Sequence, residues 1–346
     1  MEPGGFCIKK TFLTDVRKKS RRVNLTKARC WDKLYKQERT YEEKRNLKKK
    51  KRKKKHGRPF YTFSVFLIVL LFVGLALAEN MILNPRIKVD LSGIDSEYAI
   101  LVDAGTGFKL AGKAETEKMY PASMTKILTA ILALEKCPDL DERMTVPSDI
   151  FDSIYAEQAS TAGFEAGEEV TVRDLLYGVM LPSGAECCLT LARGIAGSEE
   201  AYAELMNQKA QKIGMRSSHF VNCTGLHDDE HYSTAKDIAK LLRYALKNVD
   251  FRAIFTSQNH TMSPTNVHPD GFTVYSTMFR SLGDRGFTGG KLLGGKTGNT
   301  SRAGLCLASL AEVKGKEYIL VTAKAEDAGD AHVTDALKVY GQIGEQ

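Results

Sequence analysis

The sequence predicts an α+β domain over residues 98–346, in which strands from the two ends of that stretch meet in one sheet. Two observations carry the prediction. Runs of strand character lie at both ends, Tyr98–Asp103 with Phe108–Lys113 and Ala303–Val313 with Glu317–Ala323, and helical periodicity dominates between them. The first pair flanks Ala104-Gly105-Thr106-Gly107, which has hairpin composition. Helical patterns follow over Ser123–Lys136, Val172–Met180, Ser183–Ile195, Ser198–Ile213 and Thr234–Lys247, the last opened by a Thr234/Asp237 capping box. From Thr273 the pattern reverts to strands, Lys314-Gly315-Lys316 forms the turn between the last two, and His332–Ile343 closes the chain as a helix. No internal repeat stands out.

Ahead of this domain the chain changes character. Residues 1–59 hold 23 Lys and Arg against 6 Asp and Glu, leaving 27 against 36 for the remainder. Lys48 to Lys55 is unbroken basic sequence, and Phe60–Ala78 carries no charge. As a helix that run spans about 28 Å, enough to cross a bilayer's hydrocarbon core. The basic flank predicts a cytoplasmic tail over 1–59, a transmembrane signal-anchor or signal sequence over 60–78, and everything beyond on the outside. Ala76-Leu77-Ala78 also fits a signal-peptidase site, so a secreted form cleaved after Ala78 stays open, as does a translation start within the tail at Leu47. Residues 79–97, with Asn84-Pro85 and Ser92-Gly93 as breakers, read as a linker. No nucleic-acid partner is expected, because no zinc-ligand spacing or aromatic-interleaved motif accompanies the basic tail. Of seven cysteines, Cys7 and Cys30 precede the uncharged run and five follow it, an odd number without paired spacing; Cys187-Cys188 reads as small buried apolar residues. Roughly 250 residues can bury a full core without disulfides.

Chemistry enters at Tyr120-Pro121-Ala122-Ser123-Met124-Thr125-Lys126, where the start of an apolar helix sets Ser123 and Lys126 one turn apart on one face. A serine hydroxyl needs a base to become a nucleophile. A lysine can serve if burial or a second cation lowers its pKa, and Lys296 in Gly295-Lys296-Thr297-Gly298 supplies that cation. Ser-x-x-Lys alone recurs by chance, as in Ser233-Thr-Ala-Lys236, where Ser233 caps an amphipathic helix and Lys236 faces solvent. Gly290-Lys-Leu-Leu-Gly-Gly295-Lys296-Thr297 fits the phosphate-loop spacing, but Gly298–Arg302 leads into a strand where that motif needs a helix. His227-Asp-Asp-Glu230-His231 fits a zinc-peptidase spacing, yet Gly225 before it and the cap at Thr234 after it predict a loop, so no metal is expected. Leu181-Pro182-Ser183-Gly184-Ala185-Glu186 puts Ser183 at a helix entrance, by itself an N-cap position.

Together, Ser123-x-x-Lys126, Ser183-Gly184-Ala185 and Lys296-Thr297-Gly298 on an exported chain resemble the penicillin-binding serine peptidases and β-lactamases. The closer resemblance is to the D-Ala-D-Ala carboxypeptidases among the low-molecular-mass penicillin-binding proteins. It extends from Tyr98 to the C-terminus, with Val170–Leu176, Asn222-Cys-Thr-Gly225-Leu226 and Ser233–Asp237 as supporting stretches. What it implies is a penicillin-binding protein/β-lactamase-like serine transpeptidase fold, an antiparallel sheet with flanking helices and a helical subdomain. It further implies acyl transfer at the penultimate D-Ala carbonyl of a peptidoglycan stem peptide, with no cofactor and with β-lactams as inhibitors. By the same resemblance Ser123 attacks, Lys126 is the base, Ser183 relays a proton, Lys296, Thr297 and Gly298 line the site of the terminal carboxylate, and the N–H groups of Ser123 and Asn299 form the oxyanion hole. The six glycines from Gly286 to Gly298 would then give a bound peptide access to the strand backbone.

Two departures stand out. Ala185 occupies the position where the family usually has asparagine, and replacing it with asparagine is expected to speed acylation. The chain also ends soon after the closing helix, without the further C-terminal β-domain of many relatives, so attachment is expected through 60–78. A β-lactamase, or a module that binds β-lactams or the wall without turnover, remains the alternative. The first needs a positioned base for deacylation, and Glu204-Leu-Met-Asn207 sits in an amphipathic helix pattern instead.

Overall fold

A computed structural model describes residue 40 and residues 43–50, 64–75, 87–326 and 329–346. The chain divides into two units, Met1–Pro85 and Arg86–Gln346. In the first, residues 43–50 and 64–75 are helical, and the large apolar side chains from Val65 to Val73 are about half exposed or more. The expected span 60–78 thus lies partly outside the described residues. Among those described, no helix is long and apolar enough to cross a membrane.

The second unit opens with residues 87–97 in neither helix nor strand, but Leu91 and Ile94 are buried in its core. Strands β1 (Tyr98–Asp103) and β2 (Lys109–Lys113) then pair as the expected hairpin. Asp103 closes the turn by accepting hydrogen bonds from the backbone N–H and hydroxyl of Thr106. A single 3-10 turn, Ala122–Thr125, leads into α1 (Lys126–Lys136), so the expected helix starts in a tighter winding. Every residue of α1 from Lys126 to Leu134 is buried, as an interior helix requires.

Around α1 stand β3 (Arg143–Thr145), α2 (Phe151–Ala156), β4 (Glu169–Thr171), α3 (Val172–Met180), α4 (Ala185–Ala196) and α5 (Glu199–Lys212). Next come α6 (Ala235–Ala245), α7 (Val249–Phe255), the β5–β6 hairpin (Asn259–Thr261 with Thr273–Tyr275) and α8 (Thr277–Leu282). The segment after Thr273 is therefore strand only briefly before α8 intervenes. The capping at α6 is half of the expected box: Thr234 Oγ1 accepts from Asp237 N–H, while the Asp237 carboxylate turns to Ser217, Ser218 and Lys240. Short elements such as β3, β4, α2 and α7 lack the length that makes periodicity legible.

Strands β7 (Gly290–Thr300), β8 (Gly304–Val313) and β9 (Lys316–Ala325) complete a five-stranded sheet of order β2-β1-β9-β8-β7, antiparallel throughout. The first and last strands meet as expected, with Tyr98 opposite Ala323 and Asp103 opposite Tyr318. Because side chains alternate along β1, Ala99 and Leu101 pack on α9 (Ala331–Glu345) through Val333, Val339 and Tyr340, while Ile100 and Val102 join the helical core. Both sheet faces are covered. The phosphate-loop pattern is wholly inside β7, which removes the loop-to-helix geometry a nucleotide would need.

Candidate active site

The 3-10 turn at Ala122–Thr125 is the foundation of the site. Ala122 has φ 47, a left-handed conformation that costs a residue with a Cβ and persists only when its surroundings impose it. Two glycines do so. At Gly225 (φ +83) a Cβ would stand 2.0 Å from the Ala122 carbonyl oxygen, and at Gly298 one would stand 3.0 Å from both Ala122 Cβ and Ser123 N. The loop 222–226 and strand β7 thus close on the turn from two directions. The glycines of β7 are accordingly packing residues: at Gly294 a Cβ would meet Phe255 O at 2.3 Å, and at Gly295 Met278 Cγ at 2.9 Å. At Gly294 and Gly295 close packing by itself therefore excludes a side chain, whether or not a peptide lies along the strand.

Ser123 is half-buried and Lys126 is buried, one turn further on. Lys126 Nζ lies 3.1 Å from Ser123 Oγ, within hydrogen-bond reach, and donates to the Thr224 carbonyl at 2.8 Å. That carbonyl is aimed by its own loop, in which Asn222 Oδ1 accepts from Gly225 N–H and Cys223 O accepts from Thr129 Oγ1. Thr125 is tied from below, its hydroxyl bonded to His231 Nε2 at 2.8 Å. Since Val221 N–H donates to His231 Nδ1, both ring nitrogens are engaged, and no group of three metal-ligating side chains occurs among the described residues. His227 packs edge-on against Tyr120.

Lys296 is fully buried on β7, its ammonium donating to the Thr297 carbonyl at 2.9 Å. Burial first, and then the charge of Lys126, push its pKa well below the usual lysine value. The two lysines are thus close enough for the charge of one to act on the other. Next to it, the hydroxyl of Thr297 meets that of Thr277 at 2.6 Å. Thr277 was not legible in the sequence; it opens a helix too short to show a pattern.

Ser183 does not cap a helix. It sits at φ 72, buried, with its Oγ unpartnered among the described residues, and Gly184 takes the N-cap position of α4. Ala185 follows, completely buried. Glu186 turns inward, one oxygen accepting from the N–H groups of Ala162 and Gly163, and burial raises its pKa. Cys188, within the field of both lysines, donates to Gly184 O, and burial pushes its thiol up to about 12, so it is no nucleophile. Cys187 and Cys188 are buried and free, as expected. Ser233 is buried and shares a hydrogen bond with Ser218, while Lys236 is exposed; this second Ser-x-x-Lys forms no pair.

Fold and site together define a serine peptidase of the penicillin-binding α+β class. Residues 86–327 match the Peptidase_S11 family, D-alanyl-D-alanine carboxypeptidase, and the chain belongs to that family. A D-alanyl-D-alanine carboxypeptidase of Streptomyces sp. (strain K15) is 31% identical over 267 residues, 75% of this chain and 91% of that protein. DacF of Bacillus subtilis, also a D-alanyl-D-alanine carboxypeptidase, is 37% identical over 158 residues, 44% of this chain and 39% of its own length. Among solved structures, the Streptomyces K15 DD-transpeptidase superposes with a TM-score of 0.67 at 29% identity, covering 75% of this chain and all of that one. Penicillin-binding protein 6B of Escherichia coli gives 0.62 at 27%, covering 71% and 76%. The chain is a serine-type carboxypeptidase of this fold.

The contact between Thr125 and His231 generates a pH prediction. Burial lowers the His231 pKa from 6.5 to about 4. Between those values the unfolded chain binds a proton that the folded chain does not, so stability rises with pH across this window and is lost as pH falls through it. The contribution is about 3 kcal/mol. Thermal unfolding followed from pH 7 to pH 4 should show this loss, and His231→Gln should flatten it; an equal slope in the variant would remove His231 as its source.

Proposed function

We propose that the chain releases the terminal D-Ala from peptidoglycan stem pentapeptides through an acyl-enzyme on Ser123, and that β-lactams acylate the same hydroxyl. The observation that carries this reading is the 3.1 Å contact from Lys126 to Ser123 Oγ, inside the family-matched region. Ser123 Oγ attacks the carbonyl carbon of the penultimate D-Ala as Lys126, in its neutral amine form, accepts its proton. The electron pair displaced onto the carbonyl oxygen is held by the N–H groups of Ser123 and Asn299, where one such donor is worth about 2.7–4 kcal/mol. Collapse breaks the C–N bond, Ser183 relays to the leaving amine the proton that Lys126 took from Ser123, and water then hydrolyses the ester to release the product and regenerate the Ser123 hydroxyl.

The terminal carboxylate would accept from the Thr297 hydroxyl, with Thr277 fixing that hydroxyl and Gly298 letting the strand lie close. Lys296, buried beside Thr297, would supply positive charge to that carboxylate. An arriving anion favours its charged form, so binding energy is drawn from a cation that is costly to hold in the empty site. Release of free D-Ala from a pentapeptide separates this function from a β-lactamase or a module without turnover. Ser123→Ala should abolish both D-Ala release and covalent labelling by a fluorescent penicillin, and Ser233→Ala should leave labelling intact at its wild-type site. Labelling that survives Ser123→Ala would overturn the assignment.

The complete burial of Ala185 reverses the expectation drawn for that position. Asparagine adds volume and a polar amide where solvent has no access, and overpacking of this kind costs about 1–3 kcal/mol. Ala185→Asn is therefore expected to lower the melting temperature without raising the rate of penicillin labelling. Faster labelling at unchanged stability would restore the account in which one amide contact is simply missing.

For the remainder of the chain we propose a single-pass arrangement: residues 1–59 inside, 60–78 across the membrane and the catalytic domain outside, with secretion if cleavage follows Ala78. The basic run before an uncharged stretch supports it. Protease added to intact cells should reach residues beyond Glu79 and spare the tail. N-terminal sequencing that finds Glu79 as the first residue would remove the anchor.

A further inference from the structure

The catalytic domain carries a cavity of about 420 Å³ that the peptidase reaction does not use. It opens beside the β1–β2 hairpin, against α6 and the end of α5, whereas Lys296 lies on β7 at the opposite edge of the sheet. Six cations line it: Lys109, Lys212, Lys236, Lys240, Arg243 and Lys247. Four of them, Lys236, Lys240, Arg243 and Lys247, recur at intervals of four, three and four residues, which sets them on one face of α6 and its continuation. This concentration is the reverse of the surroundings, since residues 60–346 hold 27 Lys and Arg against 36 Asp and Glu.

That charge is compensated in part: one carboxylate, Glu115, lies in the cavity wall and in the field of both Lys109 and Lys236. Glu115 pairs with Lys109, and Asp237 with Lys240. Arg243 donates to the carbonyls of Ala104 and Gly105, which fix the guanidinium and leave its charge in place. Among the described residues no carboxylate is within ion-pairing distance of Lys212, Lys236, Arg243 or Lys247. Four such charges around a space of small-molecule size build a positive potential that one carboxylate could not offset, whereas a phosphate brings two charges and several acceptor oxygens. The walls between the cations are apolar, from Ile100, Val102, Ile213 and Ala239, with the ring of Tyr244 at one side.

We propose that this cavity binds a phosphate-bearing organic anion of two or more negative charges, its phosphate held by Arg243 and the lysines and its organic part against the apolar wall. The inference does not depend on the acyl-transfer reading. Soluble organic phosphates and anionic lipid head groups share this chemistry, and the test distinguishes them. The full chain and a K212Q/K236Q/K247Q variant are titrated calorimetrically with glycerol 1-phosphate and with pyrophosphate, and partitioned onto phosphatidylglycerol and phosphatidylcholine vesicles. The three side chains are exposed, so the variant should fold and retain wild-type penicillin labelling. The basic tail is common to both proteins, so only their difference reports the cavity. The variant should bind at least about tenfold more weakly, because three cationic contacts to the anion are removed. A difference confined to the soluble phosphates assigns a soluble ligand; one that extends to phosphatidylglycerol assigns a head group. Identical titrations and partitioning for the two proteins overturn the proposal.

Discussion

The rest of the site depends on one steric constraint, the closure of two backbone segments on the turn at Ala122. That turn holds an alanine in a left-handed conformation, and it is stable only because loop 222–226 and strand β7 leave it no room to relax. Side chains at Gly225 or Gly298 would force these segments apart. The consequence is positional: Ser123 N–H and Oγ come from the 3-10 turn, Lys126 Nζ from α1 and the Thr297 hydroxyl from β7, and these three elements meet at the site. Preorganisation of this kind lets a site act without rearranging at the moment of reaction.

Burial then sets the electrostatics. Two lysines project into a region closed to solvent, and the burden falls on Lys296, whose ammonium is disfavoured by desolvation and by its neighbour. The thiol of Cys188, in the same field, is kept protonated by burial, and the hydroxyl of Ser183 has no hydrogen-bond partner among the described residues. A buried polar group without a partner is costly in a finished fold, and at the entrance to α4 two such atoms occur among the described residues, Ser183 Oγ and Glu186 Oε2.

Placement of Thr277 is a longer-range effect. The β5–β6 hairpin that delivers it is fastened to the helical subdomain by His260 on Asp174 at 2.7 Å, with the imidazole stacked on Tyr177, and by His268 on Glu168 at 2.9 Å. Burial pushes the Asp174 carboxyl up, but hydrogen bonds from His260, Ser263 and Thr171 outweigh it and hold the group below its usual value. With the hairpin anchored, Thr277 N–H reaches Leu181 O, and α8 starts where its first hydroxyl can meet Thr297. The two sides of the cleft are thereby joined through side chains that sit far apart in the sequence.

What the sequence determined by itself was whatever is local or periodic. Ser123 and Lys126 share a face because of helical spacing, the terminal strand pairs follow from alternation and turn composition, and Thr234 marks its helix through a side chain that finds its partner three residues on. Motif chemistry, once three short signatures were taken together, also reached the family. Tertiary structure alone decided the rest, because it depends on distance between residues with no sequence relation. It made Ser183 a strained buried residue in place of a cap, turned the β7 glycines into packing contacts, closed the space around Ala185, and brought His231 beneath Thr125. It likewise gathered Lys109, Lys212 and one face of α6 around a cavity. Only folding brings their three elements together, and no local pattern records that meeting.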